Sequence, residues 1–162
     1  MDLVDQNWLQ QLEIFLSVTM AAVLGGVVGL ERESAQKPAG LRTHALLAAA
    51  ACLLTHLADV LIAQFATESV PTLLRADPIR VVEAIVTGTA FLGAGTIFRQ
   101  PRNGDVQGLT TAASLLVVAG IGIAVALKQL LLAAAVTATA FVVLRIALRL
   151  EKRLTNSDSQ GD

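Results

Sequence analysis

LTTAASLLVVAGIGIAVAL (Leu109–Leu127) is followed by Lys128 and Gln129, and then by LLLAAAVTATAFVVLRIAL (Leu130–Leu148). Each run is close to the ~20 apolar residues that cross a bilayer's hydrocarbon at about 1.5 Å per residue. Core helices of soluble proteins rarely stay apolar for so long. The two runs read as a transmembrane helical hairpin with Lys128-Gln129 as its tight turn. Barrel strands need a period-two alternation that is absent here, which leaves helices as the way to satisfy a backbone inside lipid.

Outward from this hairpin, three more runs of similar length appear at Ile14–Leu30, Ala45–Ala63 and Val81–Phe98. The sequence therefore predicts an all-α polytopic membrane protein, a bundle of about five transmembrane helices. Residues 1–13 form a polar N-terminal segment, 14–150 the transmembrane domain, and 151–162 a disordered tail. Hydrophobic residues make up 54% of the chain and mean hydropathy is +0.66, above a soluble domain's usual share. A net charge of −1 gives no basic excess for a nucleic-acid partner. The segment before the first run is acidic (Asp2, Asp5, Glu13) and lacks the basic start of a cleavable signal. Cys52, the single cysteine, sits in an apolar run and reads as a small buried hydrophobe.

Lysines and arginines set the expected orientation. Arg32, Lys37, Arg42, Arg99, Arg102, Arg145, Arg149, Lys152 and Arg153 fall on one side, and only Arg75, Arg80 and Lys128 on the other. With five spans this places the N-terminus outside and the C-terminus in the cytoplasm.

Ionisable groups at membrane depth cost about 2.5–3.5 kcal/mol on insertion scales and so call for a role. One cluster, Glu31, Arg32, Glu33, Lys37, Arg42 and His44, surrounds the first loop, with Arg99 arriving from the third helix. Lys37-Pro38-Ala39-Gly40 reads as a turn, with Gly40 free to take positive φ. The cluster is either a topology determinant with local ion pairs or a pinned network that is structural or binds a partner. The other cluster is His56, Asp59, Asp77, Arg80 and Glu83, with Asp77-Pro78 as N-cap and N1 of the third helix. Its readings are mutual neutralisation of Arg80 with Asp59 or Glu83, a proton- or partner-sensing site, or a divalent cation site from Asp59, Asp77 and Glu83. Arg80 counts against the metal.

Gly25 and Gly29 on the first helix, Gly88, Gly93 and Gly95 on the third, and Gly120 and Gly122 on the fourth allow close backbone approach in lipid. They fit packing within one bundle, a homo-oligomer through the first helix, or a glycine-broken helix beside an ion path. Gly108-Leu109-Thr110-Thr111 opens the fourth helix, where the hydroxyls of Thr110 and Thr111 serve as caps or bond helix to helix; capping is favoured. No Gly-x-Ser-x-Gly, His-Glu-x-x-His, Walker loop or Cys/His metal spacing is present, so neither an enzyme nor a cofactor is expected.

The stretches Gly29-Leu30-Glu31-Arg32-Glu33 and Lys37-Pro38-Ala39-Gly40-Leu41-Arg42-Thr43-His44 carry a family resemblance. So do Asp77-Pro78-Ile79-Arg80-Val81, Phe91-Leu92-Gly93-Ala94-Gly95-Thr96-Ile97 and Val106-Gln107-Gly108-Leu109-Thr110-Thr111-Ala112-Ala113-Ser114. Together they resemble the MgtC/SapB family of bacterial inner-membrane proteins over roughly residues 14–148. Departures are Gly88-Thr89-Ala90 for a usual Gly-Ile-Gly, Glu83 for a common Gln, and Leu116 for a frequent Trp. The soluble C-terminal domain of longer members is expected to be missing. The resemblance implies a non-enzymatic regulator tied to Mg²⁺ homeostasis and to virulence in low Mg²⁺, multi-pass in the bacterial inner membrane. Its partner would be another membrane protein, the F-type ATP synthase or a P-type Mg²⁺ transporter. The rival is a small oligomeric Mg²⁺ transporter or transport accessory subunit.

Overall fold

The computed structural model describes the backbone of residues 3–67, 77–99 and 106–158, and side chains over 8–63, 77–99 and 106–149. Among these residues the chain forms five helices: α1 (Leu3–Ser34), α2 (Leu41–Thr67), α3 (Pro78–Gly95), α4 (Leu109–Ala126) and α5 (Leu130–Asp158). A two-residue antiparallel ladder, β1 (Phe98–Arg99) with β2 (Val106–Gln107), links α3 to α4. The all-α polytopic expectation holds. Four helices are long and apolar enough to cross a membrane: α1 over Trp8–Ser34, α2 over Leu41–Ala63, α4 throughout, and α5 over Leu130–Arg149. The fifth expected span, α3, is a helix, but Arg80, Glu83 and its three glycines dilute its apolar character.

Side-chain exposure supports a lipid environment. Phe91 is 81% and Leu131 86% exposed, and large aliphatic residues lie outward on every helix. Water would penalise such a surface by about 25 cal/mol per Å², whereas lipid does not. The interior is built from small residues instead, with Ala21, Val28, Ala48, Cys52, Val118, Ile121 and Val125 at its centre. Cys52 is free and buried, as its apolar run suggests. α4 is the axis of the bundle: more than half of its span is buried, and it touches all four other helices.

Both tight helix connections use one device. At the end of α1, the Lys37 amide donates to the Arg32 carbonyl at 3.0 Å and the Gln36 amide to that of Glu33 at 2.9 Å. Gln36 takes a left-handed φ of 53°. At the end of α4, Gln129 donates to Ala124 at 2.9 Å and Lys128 to Val125 at 3.0 Å, with Lys128 at φ 58°. These are Schellman closures that satisfy the last carbonyls of a helix before the chain reverses. The Lys128-Gln129 turn is thus as read, but the left-handed residue of the first loop is Gln36 and not Gly40.

Element bounds differ from the apolar runs in a regular way. α1 starts at Leu3, within the segment read as a polar extension, and α5 continues to Asp158 over residues read as a disordered tail. Hydropathy marks the part of a helix that meets lipid, while its hydrogen-bonded turns extend past that boundary. The loop residues Pro71, Arg75, Arg102 and Gly104 lie outside the described residues.

α3 begins as the Asp77-Pro78 pair predicts: the Asp77 carboxylate accepts from the Ile79 amide at 3.0 Å, and Pro78 holds the first turn. Asp77→Ala is expected to cost about 1 kcal/mol. Amide exchange over Ile79–Val82 should rise while exchange in α4 stays unchanged. Gly108 fills the corresponding position of α4 with φ 92° and no side-chain cap. Among the described residues no hydrogen bond shows Thr110 or Thr111 capping α4, and Thr111 is buried in the bundle.

Candidate functional site

The site is built by the close approach of α1 and α2. A Cβ on Gly29 would stand 2.8 Å from the Leu41 Cα and 2.9 Å from the Gly40 carbonyl oxygen. A Cβ on Gly25 would stand 2.6 Å from the Ala48 Cβ and 2.7 Å from the His44 carbonyl oxygen. These two positions pack as the sequence suggests, and only glycine fits. Of the three glycines expected to pack on α3, Gly93 meets Ala112, whereas Gly88 and Gly95 face open space. α3 leans on α2 and α4 along one narrow stripe of Ile85, Thr89 and Gly93, so its other faces stay outside the bundle.

The close crossing encloses ionisable groups. Glu31 is 1% and Arg32 2% exposed, and Arg32 Nε donates to Glu31 Oε2 at 2.7 Å. Glu31 Oε1 is buried without a hydrogen-bond partner. His44, fully buried on α2, donates from Nδ1 to the Gly40 carbonyl at 2.9 Å and meets Ser114 Oγ of α4 through Nε2 at 2.9 Å. Ser114 also donates to the Thr111 carbonyl at 2.8 Å, so its single hydroxyl proton is contested when the imidazole is neutral. The Glu33 carboxylate accepts from the Leu41 amide at 2.9 Å, satisfying an orphan donor at the start of α2.

The first-loop cluster is therefore partly assembled. Glu31, Arg32, Glu33 and His44 are engaged, while Arg42 is exposed and Lys37 half-buried, with no ion pair to either among the described residues. A cavity of about 560 Å³ opens beside it, lined by Gln36, Lys37, Pro38, Phe98, Val106 and Thr111 among others.

The second cluster divides. No ion pair joins Arg80 to Asp59 or Glu83 among the described residues. His56 and Asp59 turn toward α1, where they line a cavity of about 340 Å³ with Gln10, Glu13 and Lys128. Lys128 Nζ pairs there with Glu13 Oε1 at 2.6 Å, and His56 Nε2 is buried without a partner. Arg80 sits on the other side of α2, beside Leu54 and Ile85. Asp59, Asp77 and Glu83 are all exposed, and among the described residues no three acidic, histidine or cysteine side chains gather as metal ligands.

Two contributors were missed. Ser114 is a polar residue one turn after Thr110 and Thr111 in an otherwise apolar helix, a detectable signal for a buried partner of His44. Glu13 and Lys128 each flank a span at one end of the bundle, and opposite charges at the same depth invite pairing.

The MgtC family model matches residues 18–153. The chain belongs to the MgtC family. An uncharacterised protein of Haemophilus influenzae is 42% identical over 68% of this chain and 45% of its own length. The SapB protein of Bacillus subtilis is 37% identical over 73% and 49%. YhiD of Escherichia coli strain K12, a proposed magnesium transporter by name, is 32% identical over 90% and 66%. The chain spans about half to two thirds of the length of these curated relatives. No solved structure matches it.

Proposed function

We propose that this MgtC-family chain is a non-enzymatic regulator in magnesium homeostasis, resident in the bacterial inner membrane, that acts by binding another membrane protein. The observation that carries the reading is Glu31, a fully enclosed carboxylate with one oxygen that has no hydrogen-bond partner among the described residues. Stability alone favours an apolar pair over a buried ion pair, so an unsatisfied buried acid points to use in recognition. The same loop cluster carries the exposed Arg42 and the open cavity at Lys37 and Pro38. In the proposed orientation this end faces the cytoplasm. The family resemblance makes the membrane sector of the F-type ATP synthase the first partner to test, with a P-type Mg²⁺ transporter second, and links the role to growth in low Mg²⁺.

The exposure of Arg42 makes it a clean probe. Arg42→Ala should leave abundance and membrane insertion intact while recovery of the ATP synthase membrane sector falls about tenfold, the size of about one charge-assisted hydrogen bond. Growth under Mg²⁺ starvation should fall with it. Unchanged recovery and growth would sink the reading. The name carried by YhiD favours transport as the second reading. Mg²⁺ flux in proteoliposomes holding this protein alone, abolished by Glu83→Gln, would establish it.

A further inference from the structure

Between the C-terminal turn of α1 and the apolar end of α5 lies a cavity of about 440 Å³, lined by Ser34, Ala35, Gln36, Arg145, Leu148 and Arg149. Arg145 and Arg149 are four apart, so both guanidinium groups rise from one face of α5. Both residues are exposed, and neither has an ion-pair partner among the described residues. Neither carboxylate at the adjoining α1 end lines the cavity: Glu31 is ion-paired with Arg32, and Glu33 accepts from the Leu41 amide. Among the described residues, the cavity therefore carries two guanidinium groups with no ion-paired carboxylate.

Depth decides what could answer it. The apolar span of α5 ends at Arg149, which puts Arg145 about 6 Å inside at 1.5 Å per residue. A long arginine side chain at that depth reaches back to the headgroup level by snorkelling. Leu148 contributes an apolar wall at the same level.

We propose that Arg145 and Arg149, with Gln36 on the facing wall, bind the phosphate of an anionic phospholipid whose acyl chain runs past Leu148. Guanidinium groups match phosphate oxygens with paired N–H donors, and two of them hold one phosphate better than a scattered surface charge does. Basic pockets at transmembrane helix ends are suited to such headgroups. An acidic peptide would have to approach from water and would leave the apolar wall unused, so the lipid is favoured.

Native mass spectrometry of the purified full chain tests this, with phosphatidylglycerol and phosphatidylcholine supplied separately. The wild type should retain phosphatidylglycerol about tenfold more strongly than phosphatidylcholine. The double change Arg145→Gln and Arg149→Gln should erase that preference, and Arg80→Gln, which removes one charge at the other end of the bundle, should keep it. Equal retention of both lipids by the wild type would overturn the proposal without any variant. A loss in Arg80→Gln as large as in the double variant would reduce the effect to overall charge. Displacement of the lipid by inorganic phosphate or by an acidic peptide at comparable concentration would assign the site to a soluble ligand and overturn the lipid source.

Discussion

Arg32→Ala is expected to destabilise the protein by about 3–5 kcal/mol, the largest effect of any single truncation in the bundle. The substitution leaves Glu31 enclosed with no partner on either oxygen, since Oε1 already has none and Oε2 loses the 2.7 Å bond from Arg32 Nε. Lipid supplies no hydrogen bond in compensation. Arg42→Ala, ten residues on and exposed, should stay within about 0.5 kcal/mol of the wild type. Denaturant titration of helix content in mixed micelles would measure both. The double change Glu31→Met with Arg32→Leu should recover much of the loss, because a buried ion pair replaced by apolar groups of similar size is often neutral or better. A stable Arg32→Ala protein would mean that the pair is hydrated and not buried as described. Recovery of stability without recovery of partner binding in the double variant would separate the structural role of the pair from its proposed use.

The membrane fold was legible because lipid imposes length and polarity rules on every span. Leu109–Leu127 and Leu130–Leu148 gave α4 and α5 almost to the residue at their shared turn, since Lys128-Gln129 leaves no room for another reading. α3 was less well marked: it is as long as α4, but Arg80, Glu83 and its glycines thin its apolar run, and its expected end at Phe98 proved to be a strand of the β1–β2 ladder. A two-residue strand has no periodicity to detect.

Chemistry was legible where it is local in sequence. Glu31 with Arg32, and Asp77 with the start of α3, follow from neighbouring residues. Partners across helices were not. His44 and Ser114 are seventy positions apart, and their meeting depends on how α2 crosses α4. The grouping of Arg80 with His56 and Asp59 failed for the same reason: similar depth on adjacent helices does not specify which side of α2 each residue occupies. Helix rotation decides that, and rotation is set by small-residue contacts.

One such contact gives the second large effect. Gly122→Ala is expected to destabilise the bundle by about 1–3 kcal/mol, although alanine is the better helix former by about 1 kcal/mol. A Cβ at Gly122 would run into the Ala48 carbonyl oxygen, with the Ala51 Cβ at 3.0 Å and the Ala48 carbonyl carbon at 3.1 Å. Two of these three are backbone atoms, which cannot swing aside, so α4 must move away from α2. That motion also pulls on the His44–Ser114 hydrogen bond, about two turns along the same interface. Gly120→Ala provides the control, because nothing lies within 4 Å of its added methyl and the propensity gain should stand alone. The two substitutions are chemically identical and two residues apart on one helix, yet opposite signs are expected in thermal unfolding. Equal shifts would show that α4 does not meet α2 through Gly122. Opposite shifts, joined by faster exchange at His44 in Gly122→Ala alone, would show that the glycine contact holds the buried histidine in place.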